Sequence, residues 1–217
     1  KFLIENNKIN EEWNSLNTLS CDAATIGNYD LGLINKDKDL LQDLKDHKFE
    51  IIYLVGQDNL NFEKKDEFII YQGSHGDKGA DLADIILPGS AYTEQDGYFT
   101  NLEGKLQKAY KASYPPGDSK EDWSIINEIA EFMNNRKLFN DKDELESSMF
   151  NYLNLQKEKH LDTKNNEEND KANEFNNEML KIKIKDYYFS NVIARSSKTM
   201  IECNNSKLNL KSTGTEG

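Results

Sequence analysis

The sequence predicts an α/β fold in which layers of helices surround mostly parallel strands, followed by a C-terminal helical tail. Three short and nearly continuous apolar runs lie at 49–55, 68–71 and 84–87. Runs of this kind are typical of buried parallel strands. Before and after them, apolar residues recur at three- and four-residue intervals, as they do in amphipathic helices. Strands interleaved with helices indicate a layered α/β architecture.

Two helices are predicted before the first strand. The first, at 10–27, has a regularly spaced apolar series and a stop at Gly27 and Asn28. The second, at 36–47, places three leucines on one face: Leu40, Leu41 and Leu44. The chain then enters the first strand, which ends at Gly56.

After the third strand, which Pro88 terminates, the chain is predicted to form a hairpin and two helices. The hairpin pairs 98–101 with 105–110. A helix follows the Pro-Pro-Gly sequence at 115–117, with Asp118 or Ser119 as its N-cap. Its apolar face comprises Trp123, Ile126, Ile129, Ala130 and Met133. A further helix is predicted at 141–155.

The pattern divides the chain into three parts, at 1–155, 156–178 and 179–217. The first is the α/β domain. In the second only Leu161, Ala172 and Phe175 are apolar, and such a segment buries too little surface to offset its chain entropy. It is therefore predicted to be a polar linker or insertion. The third is a tail with a helix at 191–203.

Composition excludes several functions. The net charge is -12, from 39 acidic and 27 basic residues, which argues against nucleic acid as a partner. No apolar run approaches the roughly 18 residues that span a bilayer. Two cysteines, Cys21 and Cys203, cannot ligate an iron–sulfur cluster or a Cys-rich zinc site. Of the 27 basic residues only two are Arg, which indicates an A/T-biased genome such as many organelles have, although nuclear and bacterial genomes can share that bias.

The glycine-rich segment at 73–79 is the first candidate site, because it follows a predicted strand. Glycines there could let backbone N–H groups approach a phosphate. Their spacing is not that of a dinucleotide or phosphate-binding loop, so a tight strand-to-helix turn is favoured. His75 beside Asp77 suggests a general base, but a lone loop histidine is more often a polar turn residue. No nucleophile with an orienting partner is evident.

The acids Glu94, Asp96 and Glu103 form the second candidate, since paired carboxylates can perform acid–base catalysis. A surface hairpin in so acidic a chain also collects carboxylates, and this interpretation is favoured. His47 and His160 lie in charged segments and are predicted to be structural or solvated. The sequence therefore assigns no catalytic, cofactor-binding or metal-binding residue.

The segment from 68 to 107 carries a resemblance to a known family. An Ala-Asp-x-x-Leu-Pro strand end at 83–88 is followed by Glu94 and then by Gly-x-x-x-Asn-x-Glu-Gly-x-x-Gln at 97–107. This series resembles the molybdopterin oxidoreductase superfamily. Lys105 stands where that family usually has Arg, which would lose a bidentate contact to a phosphate or carboxylate.

Further motifs narrow the resemblance. The turn at 73–80, the Tyr-Thr-Glu at 92–94, the Pro-Pro-Gly at 115–117 with Glu-Asp-Trp after it, and the residues at 184–200 are similar to the largest iron–sulfur subunit of respiratory complex I. The similarity runs from about Trp13 to Cys203 and is interrupted at the polar insertion. It covers only the last third of that family, without its cysteine-rich region. We therefore expect a fragment, or one of two separately encoded pieces.

This resemblance implies a non-catalytic structural subunit in the NADH-oxidising peripheral arm of complex I. No cofactor is expected in this chain, whereas iron–sulfur clusters and FMN are expected in partner chains. The implied partners are the N-terminal cluster-bearing part of the same subunit, the flavoprotein and other peripheral-arm subunits. The implied location is the matrix side of the mitochondrial inner membrane, or the cytoplasmic face of a bacterial plasma membrane.

Two other functions are considered. The chain could be the C-terminal piece of an active molybdopterin oxidoreductase of the formate dehydrogenase kind, in which the turn at 73–80 and the hairpin at 97–107 touch the pterin. It could also be a free-standing nucleotide-binding module, which is the weakest alternative because the phosphate fingerprint is absent.

Overall fold

A computed structural model describes residues 6, 19–20, 22–34, 39–60, 62–162 and 187–212. These ranges contain seven helices and five strands. The helices are α1 (Thr25–Asp30), α2 (Leu40–Lys45), α3 (Lys78–Leu82), α4 (Asp122–Asn134), α5 (Lys142–Asp162), α6 (Val192–Ser196) and α7 (Lys198–Ser212). The strands are β1 (Ile51–Val55), β2 (Phe68–Gly73), β3 (Ile85–Pro88), β4 (Gly97–Thr100) and β5 (Leu106–Ala109).

The chain divides into two compact units. The first comprises Lys1–Lys38, Gln95–Ala112 and Phe139–Asn165, and it holds α1, the β4–β5 hairpin and α5. The second comprises Asp39–Glu94, Ser113–Leu138 and Asn166–Gly217, and it holds the remaining elements.

The second unit is built on a three-stranded parallel sheet in the order β1-β2-β3. The prediction of an α/β fold with parallel strands is therefore confirmed. Ile51 lies opposite Phe68, and Ile70 lies opposite Ile85, which fixes the face that each side chain occupies. One face, here called the inner face, carries the core formed by Ile52, Leu54, Ile69 and Tyr71.

The opposite face of this sheet, here called the outer face, is largely open. Burial alternates along β1, and Ile51 is 67% exposed. Phe68 and Ile85 are also exposed on this face. The prediction that the first strand is buried was thus only half right, because the described part of the chain covers one of its two faces.

Helix α4 begins later than the sequence predicts. Its N-cap is Glu121, so Asp118 and Ser119 were wrong as caps. The physical reason is a long-range backbone contact: Lys120 bridges to Gly89, and its N–H donates to the Pro88 carbonyl, 3.1 Å away. That pairing keeps the chain extended up to the cap. The predicted apolar face is also partly wrong, since Ile126 and Met133 are exposed whereas Ile125 and Asn127 are buried.

The first predicted helix is interrupted before Thr25, and the second is shorter than predicted. At 19–20 and 22–24 the chain forms a turn, in which the Asp22 N–H donates to Ser20 Oγ, and α1 then continues through the predicted stop to Asp30. Gly32, with a φ of 67°, follows the helix end. The predicted part at 10–18 lies outside the described residues. Helix α2 is confirmed within the second prediction, capped by Asp39.

The hairpin is confirmed, with β4 antiparallel to β5. Helix α5 runs to Asp162, so it continues into the predicted linker, and the rest of that linker lies outside the described residues. The tail has two helices instead of one, because Ser197 is extended and its Oγ accepts the N–H of Met200. The division at 1–155, 156–178 and 179–217 stays a prediction. Among the helices in the described ranges, none is long and apolar enough to span a bilayer.

Candidate functional site

The turn at 73–80 lies at the carboxyl ends of parallel strands, where open α/β sheets bind ligands. Strand β2 ends at Gly73 and α3 begins at Lys78, so the predicted strand-to-helix turn is present. Asp58 follows β1, and its carbonyl accepts the N–H of Gly79 at 3.2 Å. The loops after β1 and β2 are thereby joined into one local structure.

Two glycines of this turn are required by the packing of the chain against itself. A Cβ atom on Gly79 would lie 2.5 Å from the carbonyl oxygen of Gln57, and one on Gly73 would overlap the ring of Tyr71. Tyr71 in turn donates a hydrogen bond from its hydroxyl to the His75 carbonyl at 3.0 Å. The space beside these two glycines is therefore occupied by the Tyr71 ring and the Gln57 carbonyl of this protein.

Arg195, on α6, reaches this turn from the tail. Its Nε donates to Asp77 Oδ2 at 2.6 Å, and its Nη2 donates to Asp58 Oδ1 at 2.7 Å. The three side chains are each only about a fifth exposed, at 19%, 20% and 21%. No local signal in the sequence indicates this cluster, because the partners lie 118 and 137 residues apart along the chain.

The cluster sets the ionisation of the groups around it. Burial raises the pKa of Asp77, but hydrogen bonds from Arg195 and from the Lys78 N–H more than offset it, so this pKa is lowered overall. Burial, assisted by the negative charges of Asp58 and Asp77, raises the pKa of Tyr71 to about 12. At neutral pH the turn therefore holds the Asp77 carboxylate beside the Arg195 guanidinium, with the Tyr71 hydroxyl protonated.

These residues do not fit the phosphate of a pterin cofactor. A phosphate placed at the turn would face the carboxylates of Asp58 and Asp77, and the guanidinium donors that could hold it are already engaged by them. The His75–Asp77 pair that a general base would need is not formed, which agrees with the favoured interpretation of His75 as a polar turn residue. His75 Nδ1 lies 2.9 Å from Ser74 Oγ, whereas Asp77 binds Arg195 and the N-terminus of α3.

His47 forms a structural hydrogen bond with Glu67, with 2.5 Å between Nδ1 and Oε1. The Glu67 side chain is almost fully buried and also accepts the N–H of Lys65 at 2.7 Å. That backbone hydrogen bond, followed by the one from His47, lowers the pKa of Glu67 to about 2. His160 lies in α5 at a position whose side chain the structure does not describe.

Two of the three acids of the second candidate site have a local structural role. Glu94 Oε2 accepts the N–H of Ala91 at 2.9 Å. Asp96 accepts the N–H of Lys111 at 2.8 Å, and this hydrogen bond is the main reason its pKa is lowered. Glu103 lies in the exposed hairpin turn. These contacts favour structural roles over acid–base catalysis.

The Asn-x-Glu-Gly-Lys sequence at 101–105 is explained by the geometry of that hairpin turn. Asn101 Oδ1 accepts the N–H groups of Glu103 and Lys105, at 3.0 and 2.9 Å. Gly104 has a φ of 77°, a conformation that favours glycine. Lys105 contributes its backbone to the turn, and this contribution does not depend on whether Lys or Arg stands there.

A buried amide on the outer face was also missed by the sequence analysis. Gln72 is fully buried, and its Nε2 donates to Asp122 Oδ1 at 2.7 Å. Its Oε1 accepts the hydroxyl of Tyr53. Gln72 therefore fixes the first turn of α4 to the carboxyl end of the sheet. A glutamine among apolar strand residues was the available signal.

The described ranges contain no group of three or more His, Cys, Asp or Glu side chains placed to hold a metal ion. Cys203 is exposed on α7, and Cys21 lies outside the described residues.

Comparison with known proteins gives two family matches. The model of the molybdopterin oxidoreductase family matches residues 1–132, and that of the C-terminal region of the G subunit of NADH-ubiquinone oxidoreductase matches residues 145–203. The chain is 36% identical to the NADH-ubiquinone oxidoreductase 75 kDa subunit of Reclinomonas americana, over 88% of this chain and 28% of that protein. It is 34% identical to the mitochondrial 78 kDa subunit of Neurospora crassa, over 95% of this chain and 29% of that protein.

A bacterial relative shows the same pattern. The G subunit of the NADH-quinone oxidoreductase of Rickettsia bellii is 36% identical over 99% of this chain and 31% of its own length. The chain thus spans less than a third of the length of these curated relatives. The first family model covers more than half of the chain, and the second covers most of its C-terminal part. Residues 145–203 are similar to the C-terminal region of the G subunit of NADH-ubiquinone oxidoreductase, and the chain belongs to the molybdopterin oxidoreductase family.

Proposed function

We propose that this chain is a non-catalytic structural part of NADH:ubiquinone oxidoreductase, respiratory complex I, in the NADH-oxidising peripheral arm. Its relatives are named as subunits of that enzyme, and the similarity extends over nearly the whole chain. In this role the chain would complete an α/β domain and so support electron transfer from NADH to ubiquinone by neighbouring parts of the assembly.

The open outer face of the parallel sheet is the observation that carries the proposal. Parallel sheets are normally covered on both faces. Here five apolar side chains of that face are between 39% and 67% exposed: Ile51, Tyr53, Val55, Phe68 and Ile85. In the described residues β1 and β3 also pair along only one edge each, so further strands can add there.

The missing layer is supplied, in this proposal, by the N-terminal cluster-bearing part of the same subunit. The matched region makes up only 28% of the Reclinomonas americana protein, so that protein has ample chain for a covering layer. The flavoprotein and other peripheral-arm subunits would be the further neighbours. Iron–sulfur clusters and FMN would then reside in these partner chains, and the assembly would lie on the matrix side of the inner membrane or on the cytoplasmic face of a bacterial membrane.

Co-purification tests the proposal. A tagged chain, expressed in its native host, should co-migrate with NADH dehydrogenase activity on native gels. Phe68→Glu places a charge on the outer face and should remove the chain from that band. Phe132→Glu is the matched control, because Phe132 is a 91% exposed phenylalanine on α4, and it should leave co-migration unchanged.

Three results would contradict the proposal. The chain could run as a stable monomer apart from the activity. The two phenylalanine variants could behave alike, which would show that the outer face is not the contact. Stoichiometric molybdenum or tungsten in the purified assembly would instead indicate an active molybdopterin oxidoreductase.

A further inference from the structure

The carboxyl edge of the parallel sheet carries two acidic side chains that converge. Asp58 follows β1 and Asp77 closes the turn after β2, and these two strands are adjacent and parallel. Their carboxylates lie 2.7 and 2.6 Å from two different nitrogens of one guanidinium. Both aspartates belong to the same compact unit as Arg195.

The geometry suits a guanidinium and not an ammonium. Nε and Nη2 bind separate carboxylates, and Nη1 donates to the Phe189 carbonyl at 3.4 Å. A lysine has a single nitrogen at the end of a flexible stem, so it cannot span two acceptors with the same fixed, planar spacing. Only two of the 27 basic residues in this chain are Arg, and one of them occupies this position.

Arg195 makes the side-chain hydrogen bonds that join α6 to the sheet edge, while Val192, Ile193 and Ala194 are only partly buried. The helix has five residues, none of which is buried. Its N-cap, Asn191, accepts the Ala194 N–H at 2.9 Å, a contact within the tail itself. The contacts between Arg195 and the two aspartates therefore provide the specific attachment of α6 to the sheet.

We propose that Asp58 and Asp77 form a guanidinium-binding site that captures Arg195 and thereby docks the tail helix α6 at the carboxyl edge of the sheet. The ligand class of this edge is an arginine side chain, and the two carboxylates would repel an anion placed between them. The proposal is independent of membership in complex I, since it concerns contacts within this chain.

Hydrogen–deuterium exchange of the full chain tests the attachment. Arg195→Ala and Asp58→Asn should each make the amides of 192–196 exchange at least about tenfold faster, equivalent to about 1.4 kcal/mol. Arg195→Lys should behave more like the alanine variant than the wild type, because one ammonium nitrogen cannot reproduce the two fixed, planar contacts. Arg136→Ala is the matched control, since Arg136 is the other arginine and is exposed, and it should exchange like the wild type.

The amides of β1 and β2 report whether a variant has merely unfolded, and they should exchange as in the wild type. If Arg195→Ala does not fold, the charge-swapped pair Asp58→Arg with Arg195→Asp should fold and protect 192–196 better than Asp58→Arg alone. Wild-type exchange at 192–196 in both Arg195→Ala and Asp58→Asn would overturn the proposal, and so would equal exchange in the swapped pair and Asp58→Arg.

Chemical rescue tests the ligand class. N-ethylguanidinium at low millimolar concentration should slow the exchange of the turn amides at 76–79 in Arg195→Ala, whereas ethylammonium at equal ionic strength should not. The added cation should have no effect in the Arg195→Ala, Asp58→Asn double variant. Protection of the same amides by inorganic phosphate, or equal protection by the two cations, would show that the edge is not a guanidinium site.

Discussion

The two faces of the parallel sheet have nearly the same composition but different surroundings. On the inner face, Ile52, Leu54, Ile69 and Tyr71 are at most 7% exposed. On the outer face, residues of the same strands are exposed, such as Ile51 at 67% and Phe68 at 42%. Strands that are apolar on both faces are typical of sheets covered on both faces, and here the described residues cover only one. The difference therefore shows that the outer face lacks a second layer in the described residues, and in the proposed function a partner supplies that layer.

The outer face is itself divided along the strands. At the carboxyl end, Gln72 is fully buried and tied to Asp122 of α4. Toward the amino end, the part of the chain that the structure describes leaves Phe68 and Ile85 exposed. The position of α4 thus marks where the cover provided by the described residues stops, and in the proposed function a partner would begin there.

The largest expected difference between the faces is in core substitutions. Ile69 has no exposed surface, and Ile69→Ala should reduce the free energy of unfolding by about 2–5 kcal/mol, because it removes buried methyl groups and leaves a cavity. Ile51→Ala, in the neighbouring strand, should cost less than about 1 kcal/mol. Urea denaturation of the isolated chain measures both. Equal losses would mean that the outer face is already packed.

A second and smaller effect should come from the buried amide. Gln72→Leu keeps the approximate side-chain volume but removes the hydrogen bonds that the Gln72 amide makes with the Tyr53 hydroxyl and the Asp122 carboxylate. The free energy of unfolding should fall by about 1–3 kcal/mol. Gln107→Leu, at an exposed position of β5, is the control and should change it by less than about 0.5 kcal/mol. A neutral result at Gln72 would show that α4 is held on the sheet by its apolar contacts.

Features that depend on neighbouring residues could be predicted from the sequence, whereas features that depend on distant residues could not. The strands, the hairpin and the helix at 40–45 were predictable, since their signals lie in the elements themselves. The start of α4 was not, because the pairing of Lys120 with Gly89 decides it. Arg195 was not identified as a partner of Asp58 and Asp77, because no local spacing links residues more than a hundred positions apart.

The open outer face explains why the predicted burial of the first strand was only half right. The uniformly apolar first strand was predicted to be buried, and in the isolated chain its burial alternates. Sequence composition reflects the environment of a strand in its working assembly, whereas the structure of one chain shows only the layers that this chain provides.

Acid should weaken the amino end of the sheet through Glu67, which immediately precedes β2. The pKa of Glu67 is about 2 in the folded chain, whereas the ordinary pKa of a glutamate is near 4.5. A carboxyl whose pKa is lower in the folded state stabilises the protein above its ordinary pKa, and this stabilisation is lost as the pH falls from about 4.5 to about 2. Glu67→Gln should therefore flatten the pH dependence of the urea midpoint across this window. An unchanged dependence would place the acid sensitivity elsewhere.

The smallest effect in the isolated chain, and the most informative one, is expected at Val55. Val55→Thr preserves the branched shape at a 44% exposed position of the outer face, so the free energy of unfolding of the chain alone should change by less than about 0.5 kcal/mol. Once a partner covers this face, the threonine hydroxyl must be buried, which costs about 1–3 kcal/mol if it finds no hydrogen-bond partner. The same substitution should then weaken the co-purified assembly several-fold while leaving the free chain intact. Loss of stability in both states would place Val55 in the chain's own core, and no loss in either would confine the partner's contact to the Phe68 end of the sheet.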